Sequence, residues 1–255
     1  MNDRKYVYDG REYSRADLED VFSLDKSFEK EGQRVVLAVE LVEGEKILDV
    51  GCASGTITKK IAEKNHKVLG IDVLKNSIEI ANDFNSHPNA TYEERDLLKS
   101  PFPEKSFDCV LFLETIEHVE NPALFLKEFH RILRPNGYLI LSTPNATSLK
   151  NIFYALSYRK KEKQKNIIKD ILVEPKNTGT QLEHIYNWDF PVLVRLLDRC
   201  GFDCVENKFA GSGPISVPIF GKKIQIINKN SRLLNYFQPF MKTHVIKAKK
   251  RDDPN

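Results

Sequence analysis

A buried apolar run that ends in a glycine-rich turn constrains the fold of this chain more than any other segment. Residues 47–55 read Ile-Leu-Asp-Val-Gly-Cys-Ala-Ser-Gly, and an amphipathic stretch follows directly. A strand, a tight turn and a helix in succession form the opening unit of a parallel sheet. Glycines at positions 51 and 55 let the backbone turn sharply and let a ligand approach closely. The segment therefore predicts a ligand-binding turn at the end of a buried strand.

The same alternation of short apolar runs and amphipathic stretches continues along the chain. Seven runs predict strands, at residues 46–50, 67–72, 91–94, 107–113, 138–143, 203–208 and 243–248. Helices are expected at residues 55–64, 75–85 and 122–133, and again after a capping aspartate, Asp189. Strands that alternate with helices build a parallel sheet covered on both faces. The expected fold class is α/β: a Rossmann-like, seven-stranded, mostly parallel sheet with helices on both faces and a small insertion or flap.

Charge is distributed unevenly along a chain whose composition is otherwise that of an ordinary globular protein. The formal net charge is +3, but residues 1–150 hold 20 Lys and Arg against 26 Asp and Glu, whereas residues 151–255 hold 19 against 10. A basic second half favours an anionic partner, such as a phosphorylated small molecule, nucleic acid or an anionic membrane surface. The alternative is a solvated lysine-rich face. The basic run at 159–165 lies in a stretch whose apolar pairs predict an amphipathic helical insertion.

The cysteines and the amino-terminal residues bear on metal content and location. Cys52, Cys109, Cys200 and Cys204 show no paired C-x-x-C spacing and no matching histidine cluster. We therefore expect free thiols in a reducing compartment and no metal site. The first residues are charged and lack the apolar core of a signal peptide, and no apolar run has the length of a membrane span. The expected location is the cytoplasm.

The spacing of the glycines and an acid before them indicate the kind of ligand. A dinucleotide fold would need G-x-G-x-x-G to receive a pyrophosphate. Here the spacing is G-x-x-x-G, and Asp49 precedes the turn. This arrangement suits a ligand that carries an ammonium group better than one with two phosphates.

Residues 47–55 resemble motif I of the class I S-adenosylmethionine-dependent methyltransferases, whose usual form is hydrophobic-x-D-x-G-x-G-x-G. The sequence departs from this form at Ala53, where glycine is commonest, and the small alanine side chain is expected to leave binding intact. The resemblance implies S-adenosylmethionine as the cofactor. It also implies that the cofactor is contacted by Asp49, Gly51, Cys52, Ala53, Ser54 and Gly55.

Two further acids match the same family in order and spacing. Asp72 ends the second strand, 23 residues after Asp49, where the family places the acid that binds the ribose hydroxyls, and Val73 follows it. Asp96 follows the third strand and resembles the adenine-binding position, with the backbone amide of Leu97 beside it. The resemblance therefore implies cofactor contacts along three successive strand ends.

A stretch after the fourth strand extends the resemblance to the acceptor side. Residues 113–119 read Leu-Glu-Thr-Ile-Glu-His-Val, similar to the E-x-L-E-H-V stretch of the branch that includes ubiquinone-biosynthesis and many small-molecule methyltransferases. The resemblance implies that Leu113 and Glu114 face the methionine end of the cofactor and that His118 stands near the acceptor. His118 is the expected catalytic residue, as a base for an acceptor hydroxyl. The alternative for His118 is a capping or packing role.

The resemblance also divides the chain. A single methyltransferase domain is expected over residues 1–255, with its cofactor-binding core at about 39–145. An acceptor-side insertion is expected at about 149–187, and a C-terminal helix, flap and strands at 188–250. Residues 184–188, His-Ile-Tyr-Asn-Trp, are expected to supply aromatic walls to the acceptor pocket.

The expected function is methyl transfer to an oxygen of a small molecule, lipid precursor or sugar. No Asn-Pro-Pro-Tyr-like sequence follows the fourth strand and no RNA-binding module is appended, so a small-molecule or glycan acceptor is favoured and no stable nucleic acid partner is expected. One alternative is an RNA or protein methyltransferase that uses the basic second half. Another is a non-catalytic S-adenosylmethionine-binding protein. Peripheral contact with an anionic surface is left open, and the sequence gives no oligomeric state.

Overall fold

The strands and helices predicted from the sequence occur in the predicted order, together with others that were not predicted. The structure is a computed structural model and describes residues 5–8, 11–21, 32–148, 151–152, 184–211, 215–219, 222–227 and 242–252. Its strands are β1 (Tyr6–Tyr8), β2 (Arg11–Tyr13), β3 (Lys46–Val50), β4 (Lys67–Asp72), β5 (Ala90–Glu94), β6 (Phe107–Leu113), β7 (Leu133–Pro144), β8 (Phe202–Ala210), β9 (Ile215–Ile219), β10 (Lys222–Ile227) and β11 (Thr243–Lys250). Its helices are α1 (Arg15–Val21), α2 (Gln33–Leu41), α3 (Thr56–Ala62), α4 (Lys75–Phe84), α5 (Pro122–Ile132) and α6 (Phe190–Arg199).

Seven of these strands form the central sheet, in the order β5-β4-β3-β6-β7-β11-β8. Strands β5, β4, β3, β6 and β7 are parallel to one another, and β11 is antiparallel to both of its neighbours. The expected fold class, a seven-stranded and mostly parallel sheet with helices, is confirmed. Because parallel strands share a direction, the carboxyl ends of five strands meet at one edge, where α/β proteins bind their ligands.

The start of β7 differs most from the expected boundaries, and the other expected strands begin and end within two residues of their predicted limits. Strand β7 begins at Leu133 instead of Tyr138, because Leu133 already pairs with Phe107 before a register shift in the ladder. Helix α5 begins at Pro122 as expected, but the side chain of Asn121 makes no capping hydrogen bond. Asp189 does cap α6, accepting from the backbone N of Val192 at 2.9 Å.

The core lies on both faces of the sheet because successive strand residues point to opposite sides. On one face, Phe112 of β6 packs with Phe129 of α5 and Leu197 of α6. On the other, Leu111 belongs to a cluster that includes Ala38 of α2. Both faces are therefore covered by helices, which explains the nearly continuous apolar sequence of β6.

Two smaller units accompany the sheet. The hairpin of β1 and β2 and helix α1 pack on α4 through Tyr6, Leu18 and Ile80. Strands β9 and β10 form an antiparallel pair within the segment expected to form a flap. Most of the expected insertion at 149–187, including the basic run at 159–165, lies outside the described residues. Among the helices of the described ranges, none is long and apolar enough to cross a bilayer.

Candidate active site

Three residues of the glycine turn after β3 have positive φ angles. Gly51, Ala53 and Gly55 have φ angles of 76°, 47° and 79°. A Cβ added to Gly51 would lie 2.8 Å from Oγ1 of Thr115, and one added to Gly55 would lie 2.6 Å from Cε1 of Tyr92. The turn therefore needs glycine both for its backbone angles and for its close approach to neighbouring strands.

Side chains from three elements hold the turn in place. The Oγ1 of Thr58 donates to the buried carboxylate of Asp49 at 2.6 Å. The amide of Asn85 donates to the carbonyl of Ser54 at 2.8 Å, and the hydroxyl of Tyr92 donates to the carbonyl of Asn85 at 2.7 Å. Sequence analysis did not single out Thr58, Asn85 or Tyr92, because their role depends on contacts between distant segments.

Cys52 lies inside the same turn and has an unreactive thiol. Its side chain is buried, and burial raises the pKa of its thiol. Its backbone N donates to the carbonyl of Ile71 at 3.0 Å, as does that of Gly51 at 2.8 Å. Cys52 therefore takes part in the site through its backbone, which fastens the turn to the end of β4.

Asp72 joins the turn to the end of β4. Its Oδ2 accepts from the backbone N of Ala53 at 3.0 Å, and its Oδ1 accepts from the backbone N of Leu74 at 2.9 Å. A carboxylate offers about four lone-pair sites, so Asp72 retains the capacity to accept from two ribose hydroxyls. The next residue, Val73, is 60% exposed and offers an apolar surface beside this carboxylate.

Asp96 follows β5, the strand next to β4. Its Oδ1 accepts from the backbone N of Leu98 at 3.1 Å, and its Oδ2 pairs with Nζ of Lys99 at 2.9 Å. The hydrogen bond from Lys99 is the main cause that lowers the pKa of Asp96. The side chain of Leu97 is buried in the core, so any part it takes in the site belongs to its backbone.

The end of β6 contributes a strained residue. Leu113 is buried, and Glu114, which follows it, has a φ of 49°, uncommon for a residue with a side chain. The backbone N of Glu114 donates to the carbonyl of Ser142 at 2.9 Å, and Oγ of Ser142 donates to Oε1 of Glu114 at 2.9 Å. Such strain is typical of functional sites, where surrounding contacts hold it.

Glu117 lies beyond this residue and is buried, with 1% of its surface exposed. Its Oε2 accepts from Oγ1 of Thr143 at 3.0 Å, whereas its Oε1 has no hydrogen-bond partner among the described residues. Burial, and secondarily the charge of Glu114, raises the pKa of Glu117 to about 7. Glu117 lies within the stretch 113–119 but was not predicted to be a site residue.

His118 adjoins a second histidine that arrives from a distant part of the chain. The rings of His118 and His184 lie 4.7 Å apart at an angle of 72°. The backbone N atoms of Ile185 and Tyr186 donate to the carbonyl of Glu117 at 2.8 and 3.1 Å, which holds His184 here. Partial desolvation, and secondarily the nearby His118, lower the pKa of His184. His184 was expected only as part of an aromatic wall.

The structure brings the expected residues to one edge of the sheet. The turn at 49–55, Asp72 and Asp96 lie at the ends of β3, β4 and β5 or directly after them; Leu113 ends β6, and 114–118 follow it. His118 lies in a turn, in which its backbone N donates to the carbonyl of Thr115 at 3.0 Å. Which of these residues contact the cofactor stays a prediction.

The comparisons with known proteins all point to one family. The model of a family described as a methyltransferase domain matches residues 48–141. The ubiquinone biosynthesis O-methyltransferase of Rickettsia typhi is 31% identical over 201 residues, which cover 71% of this chain and 75% of that protein. The demethylmenaquinone methyltransferase of Tropheryma whipplei is 30% identical over 179 residues, which cover 68% and 73%.

Solved structures agree on the fold. A SAM-dependent methyltransferase from Methanosarcina mazei superposes with a TM-score of 0.57 at 20% identity, covering 85% of this chain and 98% of that one. At this identity the likeness concerns the arrangement of the sheet and helices. The two sequence relatives carry the family assignment.

Proposed function

Because the chain belongs to the class I S-adenosylmethionine-dependent methyltransferases, and is therefore an enzyme that uses S-adenosylmethionine, we propose that its acceptor atom is an oxygen of a small molecule, lipid precursor or sugar. The observation that carries this proposal is the polar group of Glu117, His118 and His184 on the same sheet edge as the glycine turn. The Rickettsia typhi relative is named as an O-methyltransferase, which supports oxygen as the acceptor atom.

The proposed cofactor position follows the strand ends. We place the cofactor against the backbone of the turn at 49–55, whose conformation is fixed by the close packing of Gly51 on Thr115 and of Gly55 on Tyr92. Asp72 has lone pairs left for the ribose, and the exposed Val73 would pack beside the adenine. Asp96 would then accept from the adenine amino group, and the backbone of Leu113 and Glu114 would face the methionine end.

The proposed role of the protein is to align the acceptor oxygen with the methyl group and to exclude water from the site. When bound, S-adenosylmethionine supplies a methyl group on a positively charged sulfur. Displacement at that carbon needs the acceptor oxygen in line with the carbon–sulfur bond, so correct placement contributes much of the rate. A hydroxyl acceptor must also lose its proton, and we assign to His118 the role of assisting that loss from the acceptor side.

The uneven charge supports one competing function, methyl transfer to RNA or protein. The basic run at 159–165 would supply the contact, and such contacts weaken steeply with salt. We favour the small acceptor because the backbone N of Tyr186 donates to the carbonyl of Glu117, and the ring of Tyr186 stacks on Trp188 at 5.1 Å, an aromatic pair that would wall a compact pocket.

The proposal is tested with methyl-labelled S-adenosylmethionine and a panel of acceptors: phenols, free sugars, hydroxylated lipid precursors, total RNA and denatured protein. Label in a phenol, sugar or lipid precursor, with the new methyl on oxygen by mass spectrometry, would support it. Label in RNA or protein alone, or a methyl on nitrogen or carbon, would contradict it. His118→Ala is expected to lower turnover about 10²–10⁴-fold while S-adenosylmethionine affinity stays nearly constant.

A further inference from the structure

Two buried polar side chains at the carboxyl edge of the sheet lack hydrogen-bond partners. Trp188 is 7% exposed and His244 is 1% exposed. Within the part of the chain that the structure describes, neither the indole Nε1 of Trp188 nor either ring nitrogen of His244 has a partner. Burial of such groups without partners is costly and calls for an explanation. We propose that Trp188 and His244 form a polar subsite of the acceptor pocket, which binds a second, uncharged oxygen of the acceptor molecule, a carbonyl or a hydroxyl.

The register of the sheet places both side chains on one face. His244 of β11 pairs with Thr143 of β7, and Asn145, directly after β7, forms a bridge with Trp188. Paired residues point to the same face, as do residues two apart on one strand. The core cluster on this face contains Trp188 together with Ile246, two residues after His244. Two strand spacings and two residues along the strand put their Cα atoms about 12 Å apart, close enough for one small molecule to contact both side chains.

Aromatic rings cover the faces of both side chains and leave their nitrogen-bearing edges for a ligand. The ring of His244 lies between Phe190, at 5.8 Å and 26°, and Phe209, at 5.2 Å and 52°. The indole of Trp188 stacks on Tyr186 at 5.1 Å. Ring nitrogens form hydrogen bonds in the plane of the ring, so this stacking does not satisfy them. Phe190 and Phe209 are only half-buried, and a small rotation of either ring opens a path to the imidazole edge.

The hydrogen-bonding character of the two side chains selects the chemical group that they can bind. An indole N–H only donates, whereas a neutral imidazole has one donor and one acceptor nitrogen. A carbonyl oxygen can accept from both side chains, and a hydroxyl can accept from Trp188 and donate to His244. Burial lowers the pKa of His244 to about 4, so its ring is neutral near pH 7. The charge of Asp189 acts on the same ring and would repel a carboxylate or a phosphate, which favours an uncharged oxygen.

The subsite adjoins the residues around His118, and its role rests on the proposed oxygen transfer. Thr143, the strand partner of His244, donates through Oγ1 to Oε2 of Glu117 at 3.0 Å. Thr143 therefore lies between the subsite and the turn that carries His118. One oxygen of the acceptor would receive the methyl group beside His118, while the second would be held by Trp188 and His244. A hydrogen bond at the far end of a small molecule fixes its orientation, and orientation contributes much of the rate of an in-line displacement.

The test uses the fact that Trp188 is the one tryptophan of the chain, so its indole N–H gives a single signal in a nitrogen-15 NMR spectrum. Protein loaded with S-adenosylhomocysteine, which allows no turnover, is titrated with 4-hydroxyacetophenone and with 4-ethylphenol. The two phenols share a carbon skeleton and differ by one ketone oxygen. We expect the ketone alone to move the indole proton signal downfield. By calorimetry the ketone should bind at least about 10-fold more tightly than the ethyl compound.

Matched variants separate a lost hydrogen bond from a packing defect. Trp188→Phe and His244→Phe each keep an aromatic ring and remove the ring nitrogens. Each should abolish most of the preference for the ketone and change the affinity for 4-ethylphenol by less than about threefold. A packing defect would weaken the binding of both phenols equally. His66→Phe changes a histidine that contacts the carbonyl of Gly44, at the opposite edge of the sheet, and should keep the preference. Should Trp188→Phe fail to fold, His244→Phe still decides and retains the indole signal.

The subsite and the proposed oxygen transfer fail separately. A ketone that does not bind, equal affinities of the two phenols, or an indole signal that the ketone leaves in place would overturn the subsite. An indole signal already downfield in the free protein and unmoved by the ketone would mean that trapped water satisfies Trp188. A methyl found on nitrogen or carbon in the acceptor panel would contradict oxygen transfer. In that case a ketone preference that depends on Trp188 and His244 would still establish the subsite.

Discussion

Asp72 has both a structural role and a predicted role in cofactor binding. Its carboxylate already accepts from the backbone of Ala53 and of Leu74, so it fastens the glycine turn to the end of β4. The same oxygens have lone pairs left for a ligand. A change at Asp72 should therefore alter both the local order of the turn and the affinity for the cofactor.

We expect Asp72→Ala to weaken S-adenosylmethionine binding by about 1–3 kcal/mol, because hydrogen bonds to a charged acceptor are lost. Titration calorimetry measures this directly. Glu104→Gln removes a negative charge before β6, at the opposite edge of the sheet, and is the matched control. Equal affinities in the wild type and Asp72→Ala would remove Asp72 from the site.

Ala53 is a second residue with a measurable consequence. Its φ of 47° lies in the left-handed region, where a Cβ costs about 1–2 kcal/mol. Glycine there would relieve that strain but would add about 0.4–1 kcal/mol of freedom to the unfolded chain. We expect Ala53→Gly to change the free energy of unfolding by less than about 1 kcal/mol and to keep cofactor affinity. Urea denaturation that shows a larger loss would mean that the alanine methyl packs against something essential.

At the scale of elements, the strand, turn and helix of 46–62 act as one unit. Helix α3 begins directly after Gly55, whose left-handed backbone ends the turn. Tyr92 of β5 lies where a side chain at Gly55 would have to go. The position of a neighbouring strand thus depends on the absence of one methyl group.

Gly55→Ala should destabilise the protein by about 2–4 kcal/mol, the sum of backbone strain and overpacking. Gly32→Ala is the comparison, because Gly32 also has a positive φ, 66°, but a Cβ added there would meet no atom within 4 Å. Its loss should be about 1–2 kcal/mol, from backbone strain alone. Denaturation curves of the two variants separate the terms, and similar losses would show that crowding against Tyr92 is unimportant.

Elements were predictable from sequence where the signal is local. The strands at 46–50, 67–72 and 107–113 agree with the structure to the residue, since short, mostly apolar runs bounded by turn residues define them. The early start of β7 was missed because its first residue pairs with a strand 26 residues earlier. His184 was undervalued for the same reason, as its partners Glu117 and His118 are far away in sequence.

At the scale of the whole molecule, β11 ties the sheet together between β7 and β8. It carries His244, which is 1% exposed and stacks near Phe190 and Phe209, with no hydrogen-bond partner for either ring nitrogen among the described residues. Burial lowers the pKa of His244 to about 4, although nearby Asp189 opposes this. Protonation of this ring is therefore coupled to unfolding.

Because of His244, the free energy of unfolding should decrease as the pH is lowered from 7 to 4. Below its ordinary pKa of 6.5 the unfolded chain takes up a proton that the folded ring refuses until about pH 4. The contribution is complete above pH 6.5 and falls by about 1.4 kcal/mol per pH unit, about 3 kcal/mol in all. Urea titrations from pH 7 to 4 measure it.

His244→Phe supplies the control for this pH dependence. Phenylalanine keeps an aromatic ring between Phe190 and Phe209 but cannot be protonated. The carboxylates still titrate in the variant, so the difference between the two pH profiles isolates His244. Parallel profiles would show that the ring is hydrated or paired in the folded state.

The place of β11 also orders events on the ribosome. Strand β8 leaves the exit tunnel before β11 does, yet β11 is the only sheet neighbour of β8 among the described strands. At about 5–20 residues per second, the nascent chain presents β8 without its partner for a few seconds. The five parallel strands emerge earlier and can assemble first. The far side of the sheet is therefore completed after translation has passed β11, and until then β8 is a target for chaperones.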